Sequence, residues 1–98
     1  MTLTATIKSL TAAEFVVTVA AIDGHTRPGR IVLARQVAMA LVRKHTGLSL
    51  PRIGQMFGNR DHTTVLHALV RVPERCGADP GLVERIERVE LGLGRIGA

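Results

Sequence analysis

Four polar residues in a row, Asp61, His62, Thr63 and Thr64, stand directly before an apolar run, VLHALVRV. Their chemistry suits the edges of base pairs. A carboxylate accepts from the cytosine amino group, and a threonine offers its methyl to thymine or its hydroxyl to a base or phosphate. An imidazole can stack, donate or make apolar contact. If the four open a helix, its unpaired N–H groups and positive dipole end also favour a nearby phosphate. A second reading fits the same residues equally well on composition: Asp61 caps the helix and the threonines are simply exposed. Other chemistries fit less well. His62 and His67 would lie about 140° apart around a helix and could not converge on one ion. His25 and His45 have no neighbouring Cys or paired carboxylates. His67 is expected to pack partly buried behind the polar tip. Asp61 and His62, as adjacent helical residues, should not face each other, and no nucleophile with a defined oxyanion site accompanies them. Neither enzymatic activity nor a metal or cofactor is expected.

The elements that would carry these residues can be read from periodicity and punctuation. Residues 3–14 suit a helix with Leu3, Ile7 and Leu10 on one stripe. FVVTVAAI follows; a lone strand would have no partner here, so it reads as a turn and a short helix. Asp23–Arg30 is a loop by its Gly and Pro content. Ile31–His45 is the longest clear helix, carrying Ile31, Ala34, Val37, Ala38, Leu41 and Val42 at helical spacing, with Gly47 as its C-terminal cap. Met39 and Met56 read as filler within helices. Ser49 is a good N-cap and Pro51 suits a first turn. The helix these open spans Leu50–Phe57. Gly58 and Asn59 tolerate the left-handed backbone of a tight turn. Asp61 then caps a helix with Val65, Leu69 and Val72 on its core stripe, which Pro73 should stop at about Val72. Asp79 and Pro80 start the last helix, with Leu82, Ile86, Val89 and Leu93 inward. A Glu84–Arg88 pair should support it, and Gly92, Gly94 and Gly97 should fray its end. Two short helices joined by a glycine turn have helix-turn-helix spacing, which places the start of the second helix against the major groove.

Charge points the same way. Residues 24–75 hold nine Lys and Arg against two acids, whereas residues 1–23 and 76–98 each sum to −1. A basic middle between near-neutral ends suits a polyanion. Only two aromatics, Phe15 and Phe57, occur in 98 residues, so the core must be aliphatic, which favours packed helices. Cys76 is alone, which leaves no disulfide framework and fits a reducing compartment. No apolar run approaches bilayer length, and no secretory signal is evident at the N-terminus.

The segment ARQVAMALVRKHTGLSLPRIGQMFGNRDHTTVLHA, Ala34–Ala68, closely resembles the C-terminal DNA-binding domain of the DnaA family of bacterial replication initiators. FGNRDHTTVLHA is similar to that family's signature, with Asn59 where a second Gly is usual, and RQVAMAL is similar to its long-helix motif. The likeness runs over roughly residues 7–75. It implies an all-α domain of about six helices with a helix-turn-helix, similar to the Trp repressor, binding an A/T-rich box of consensus TTATNCACA. By the same resemblance Arg27 enters the minor groove, and Asp61, His62, Thr63 and Thr64 read the major groove. Arg35, Gln36, Arg43, Ser49, Leu50, Pro51 and Arg60 match positions near the phosphate backbone. A narrow A/T minor groove carries enhanced negative potential, which gives a loop arginine a physical reason to enter it. The family's loop is richer in cations; here His25, Thr26, Pro28 and Gly29 thin it to Arg27 and Arg30. The initiator's ATP-binding domain has no counterpart here, since the chain contains no GxxxxGK[ST] loop.

These observations set the expectations. One domain spans 1–98, with N-terminal helices and a basic loop in 1–26, a DNA-binding core in 27–75 and a C-terminal helix in 76–98. It binds double-stranded DNA as a cytoplasmic, nucleoid-associated monomer, regulating replication initiation or transcription without ATPase activity. Two alternatives are a protein-interaction module using the stripe of the last helix, with Leu93 and Ile96 at its end, and a non-specific nucleoid-coating protein.

Overall fold

Helices begin where a side chain can occupy their unpaired N–H groups, and this chain supplies such a residue five times. In the computed structural model, which describes residues 2–96, Thr2 caps α1 (Leu3–Phe15) and Thr18 caps α2 (Val19–Asp23). Ser49 caps α4 (Leu50–Met56), Asp61 caps α5 (His62–Ala78) and Asp79 caps α6 (Pro80–Arg95). Each side-chain oxygen accepts from an N–H two or three residues on, at 3.0–3.3 Å. The longest helix, α3 (Gly29–Thr46), starts after Pro28 without a side-chain cap and stops at left-handed Gly47. No strand occurs among the described residues; the fold is all-α with six helices.

The core is aliphatic around two rings, Phe15 and Phe57. Helix α3 lies at its centre, packed against α1, α2, α4 and α5, while α6 closes the far side against α1 and α5. Between Ala34 and Val42 only Gln36 and Ala40 of α3 escape full burial. The inner face of α1 is broader than a leucine stripe: Thr4, Ile7, Lys8, Thr11, Ala12 and Phe15 are buried, whereas Leu3 and Leu10 are half-buried.

Several local expectations give way to tertiary packing. Helix α5 runs through Pro73 for five more residues. An interior proline forfeits a hydrogen bond and costs about 3 kcal/mol in a free helix. Here the Pro73 ring itself is exposed, so it displaces no core side chain. Continuing the helix packs Cys76 against the core just beyond buried Val72. The buried stripe of α5 is Val65, Ala68 and Val72; Leu69 is half-buried and His67 is exposed. Helix α6 continues through Gly92 and Gly94, and Gly97 lies outside the described residues. Gly92 faces Leu10 so closely that an added Cβ would come within 3.3 Å of it, so its smallness serves the α1–α6 contact. Arg88 does not pair with Glu84. It reaches across to Glu14 of α1 at 2.9 Å, beside Arg85, which stacks on Phe15.

Candidate nucleic-acid interface

The turn between α4 and α5 is built by two close approaches and two left-handed residues. Gly58 (φ 76°) and Asn59 (φ 57°) reverse the chain; asparagine is among the residues that tolerate this region, which accommodates the departure from a double glycine. Arg60 N then donates to the Gly54 carbonyl at 2.8 Å. A Cβ on Gly54 would meet Arg60 O at 2.1 Å, and one on Gly58 would meet Asp23 O at 2.1 Å. The turn is therefore pressed against α4 on one side and the end of α2 on the other.

From this turn α5 projects its first residues into solvent. Asp61, His62, Thr63 and Thr64 are all exposed. Asp61 Oδ1 accepts from Thr63 N at 3.1 Å and lies 2.8 Å from His62 Nδ1. The two neighbours do meet, contrary to the expectation for adjacent helical residues, because Asp61 is the cap and has extended backbone (φ −63°, ψ 148°). The Thr63 N–H bond first, and the His62 imidazole after it, hold the Asp61 carboxyl below its ordinary pKa. The carboxylate is thus ionised and oriented, with the Thr63 side chain also contributing to its stabilisation.

The cations divide into two sets. Arg27 and Arg30 are exposed at the loop and the start of α3, with no side-chain hydrogen bond or ion pair among the described residues. Arg43 is exposed at the end of α3 and donates to the Leu48 carbonyl at 2.5 Å, bracing the turn into Ser49. Ser49, the cap of α4, and Pro51 in its first turn are exposed, and Leu50 packs partly against the core. Gln36 lines a surface groove with Leu66, His67, Val70 and Arg71 of α5.

Arg35 belongs elsewhere. Only 7% exposed, it donates from Nε to Ile22 O at 2.7 Å and from Nη2 to the carbonyls of Ala21, Gly24 and Thr26. Its position beside the phosphate backbone, implied by the resemblance, is not what the fold gives: the guanidinium is occupied inside the molecule. Arg60 behaves similarly. Half-buried, it donates from Nη1 to Phe57 O at 2.5 Å and to Asp23 O at 3.5 Å, and from Nη2 to Gly24 O. Burial lowers the pKa of both groups; Arg60 lowers that of Arg35 further, and Asp23 opposes the fall in each. Both remain cations at neutral pH.

Two participants carried no sequence signal strong enough to single them out. Lys8, buried on α1, pairs with Asp23 at 2.8 Å, donates to the Met56 carbonyl and lies 4.5 Å from the centre of the Phe57 ring. Asp23 is the only acid between residues 15 and 60, and that isolation inside a basic stretch was the available clue. Gly54 is the third omission; a glycine inside a short helix, at the approach to a turn, hints at close backbone contact.

An exposed polar helix tip, held by a tight turn and flanked by loop cations in an all-α frame, defines a DNA-binding helix-turn-helix domain. Residues 4–72 match the family described as the bacterial dnaA protein helix-turn-helix, and the chain belongs to that family. It is similar to the chromosomal replication initiator protein DnaA of Latilactobacillus sakei, 46% identical over 82 residues, covering 84% of this chain and 18% of the relative. The DnaA of Oenococcus oeni is 43% identical over 87 residues, covering 89% and 19%. That of Clavibacter sepedonicus is 53% identical over 64 residues, covering 65% and 13%. The chain thus spans under a fifth of the length of these relatives. No helix among the described residues is long and apolar enough to cross a membrane.

Proposed function

We propose that this domain reads a DnaA-box-like, A/T-rich site in double-stranded DNA. The tip of α5 enters the major groove, where Asp61 accepts from a cytosine amino group and Thr63 and Thr64 meet thymine methyls or hydroxyl partners. His62, held against Asp61, presents its ring edge to the same groove. Arg27 enters the adjacent minor groove from the loop. Arg30, Arg43 and the N–H groups behind Ser49 and Pro51 lie along the sugar–phosphate rails, with Leu50 supporting that turn from behind. Occupancy of such boxes regulates replication initiation or transcription, and box reading itself uses no ATP hydrolysis.

The observation that carries this reading is the tip itself: four polar side chains exposed at a capped helix start, with the neighbouring loop cations unpaired. The interaction-module alternative draws less support, because the α6 stripe of Leu82, Val89 and Leu93 is buried within the domain. Only Ile96 of that stripe is strongly exposed.

Binding to a box duplex and to a scrambled duplex of equal composition tests the proposal. Replacing Thr63 or His62 by Ala should cost roughly 1–3 kcal/mol on the box and little on the scramble. Equal losses on both would remove base reading and leave the non-specific nucleoid-coating alternative. With about five phosphates neutralised, the log–log salt slope should be roughly −4 to −5, and Arg43→Ala should flatten it by about one.

A further inference from the structure

The segment before Arg27 receives a dense set of side-chain donors from elsewhere in the chain. Arg35 of α3 bonds the carbonyls of Ala21, Ile22, Gly24 and Thr26. Thr26 is the residue immediately before Arg27. Arg60, the residue immediately before the Asp61 cap, bonds the carbonyls of Asp23 and Gly24 as well as Phe57 in its own turn. The two guanidiniums therefore meet on one acceptor, the Gly24 carbonyl. Lys8 completes the arrangement from α1, joining the Asp23 carboxylate to the Met56 carbonyl at the end of α4. One carboxylate and a cluster of main-chain carbonyls thus absorb three cations, although phosphate-seeking cations are usually left to solvent.

We infer that Arg35 and Arg60 are positioning residues that fix the minor-groove loop relative to the recognition helix, so that both grooves are read as one rigid unit. A guanidinium suits this task because its five donors form a rigid planar fork that reaches carbonyls on two residues of the loop and beyond in one fixed geometry, whereas an ammonium offers three donors on a freely rotating point charge. Phosphate binding by Arg35 would require it to leave the Ile22 and Thr26 carbonyls, and by Arg60 the Asp23 and Phe57 carbonyls, at a cost in unpaired acceptors. The inference rests on the reading of Arg27 as the minor-groove residue.

Coupling between mutations tests it. Affinity for a box duplex is measured for Arg27→Ala in three backgrounds: unaltered, Arg35→Met and Arg60→Met. In the unaltered domain the loss should be about tenfold; in either clamp variant it should shrink to about twofold or less, because the loop is no longer presented. Thr63→Ala should cost the same factor in all three, since the helix tip keeps its own cap. Helical circular dichroism confirms folding. Should a Met variant unfold, Arg35→Lys and Arg60→Lys, which keep the charge but lose the fork, are predicted to give the same reduced coupling. A full Arg27 loss persisting in every clamp background overturns the positioning role while leaving minor-groove reading intact. No Arg27 loss even in the unaltered domain overturns both. An additive loss in the clamp variants, accompanied by a salt slope flatter by about one, would make Arg35 or Arg60 a phosphate ligand and likewise overturn the inference.

Discussion

Two groups of arginines in this domain share a side chain and little else. Arg27 and Arg30 stand in solvent around the loop, whereas Arg35 and Arg60 are turned inward onto backbone carbonyls within a few residues of it. The first set is available to a polyanion. The second set builds the shape from which the first is presented. A cation on a DNA-binding domain is therefore not by itself evidence of a phosphate contact: burial and the acceptors already engaged decide its role.

The contrast can be broken most severely at the turn. Gly54→Ala would drive a methyl into the Arg60 carbonyl. The backbone must shift, and we expect a loss of about 3 kcal/mol in urea unfolding, with DNA binding lost in parallel. A variant with unchanged stability would show that the turn has slack. Next comes an exchange of effects between the two sets. Arg35→Met leaves the carbonyl of buried Ile22 without its donor and should destabilise the fold by about 1–3 kcal/mol. Arg27→Ala should change stability by no more than about 0.5 kcal/mol while weakening box binding. Finding both variants equally stable would erase the distinction.

The smallest effect is a control remote from both sets. Glu14 is held below its ordinary pKa, first by its hydrogen bond from Arg88, then by the charges of Arg88 and Arg85. A carboxyl whose folded pKa is depressed contributes stability above its unfolded value, about 4.3, and loses it as pH falls through the folded value. Glu14→Gln should therefore lower the midpoint of thermal unfolding slightly at pH 7 and flatten its decline below about pH 4.5, leaving DNA affinity unchanged. A parallel decline in both proteins would remove the α1–α6 ion pair as a source of acid sensitivity.

Features governed by neighbouring residues were legible in the sequence. Ser49 and Asp61 as caps, Gly47 as a stop, and Gly58 with Asn59 as the left-handed pair all follow from local backbone chemistry, and the structure has each of them. The short α2 after a turn was equally readable, although the turn itself places Val16 at φ 56°, a strained choice for a β-branched residue. What stayed hidden depends on distant partners. Pro73 reads as a stop until the contacts of Val72 and Cys76 outweigh it. Arg88 suits Glu84 by spacing, yet Glu14, which only the α1–α6 packing brings near, takes it. Arg35 looks like a surface cation until α3 is seen to be surrounded by four other helices, and the faint warning was its place among the closely spaced apolar residues of that helix. The exposed tip was legible as chemistry; the internal support behind it was not.

One peptide bond, between Arg60 and Asp61, separates inside from outside: the first side chain turns back to the α2 end and the second leans out over the helix start. With the Arg60 carbonyl already jammed against Gly54, no spare length exists to absorb an added or missing residue. A single insertion ahead of Arg60 would push its guanidinium outward into the cap position, and a single deletion there would aim the Asp61 acid inward at carbonyls. This corner should tolerate changes of letter far better than any change of count.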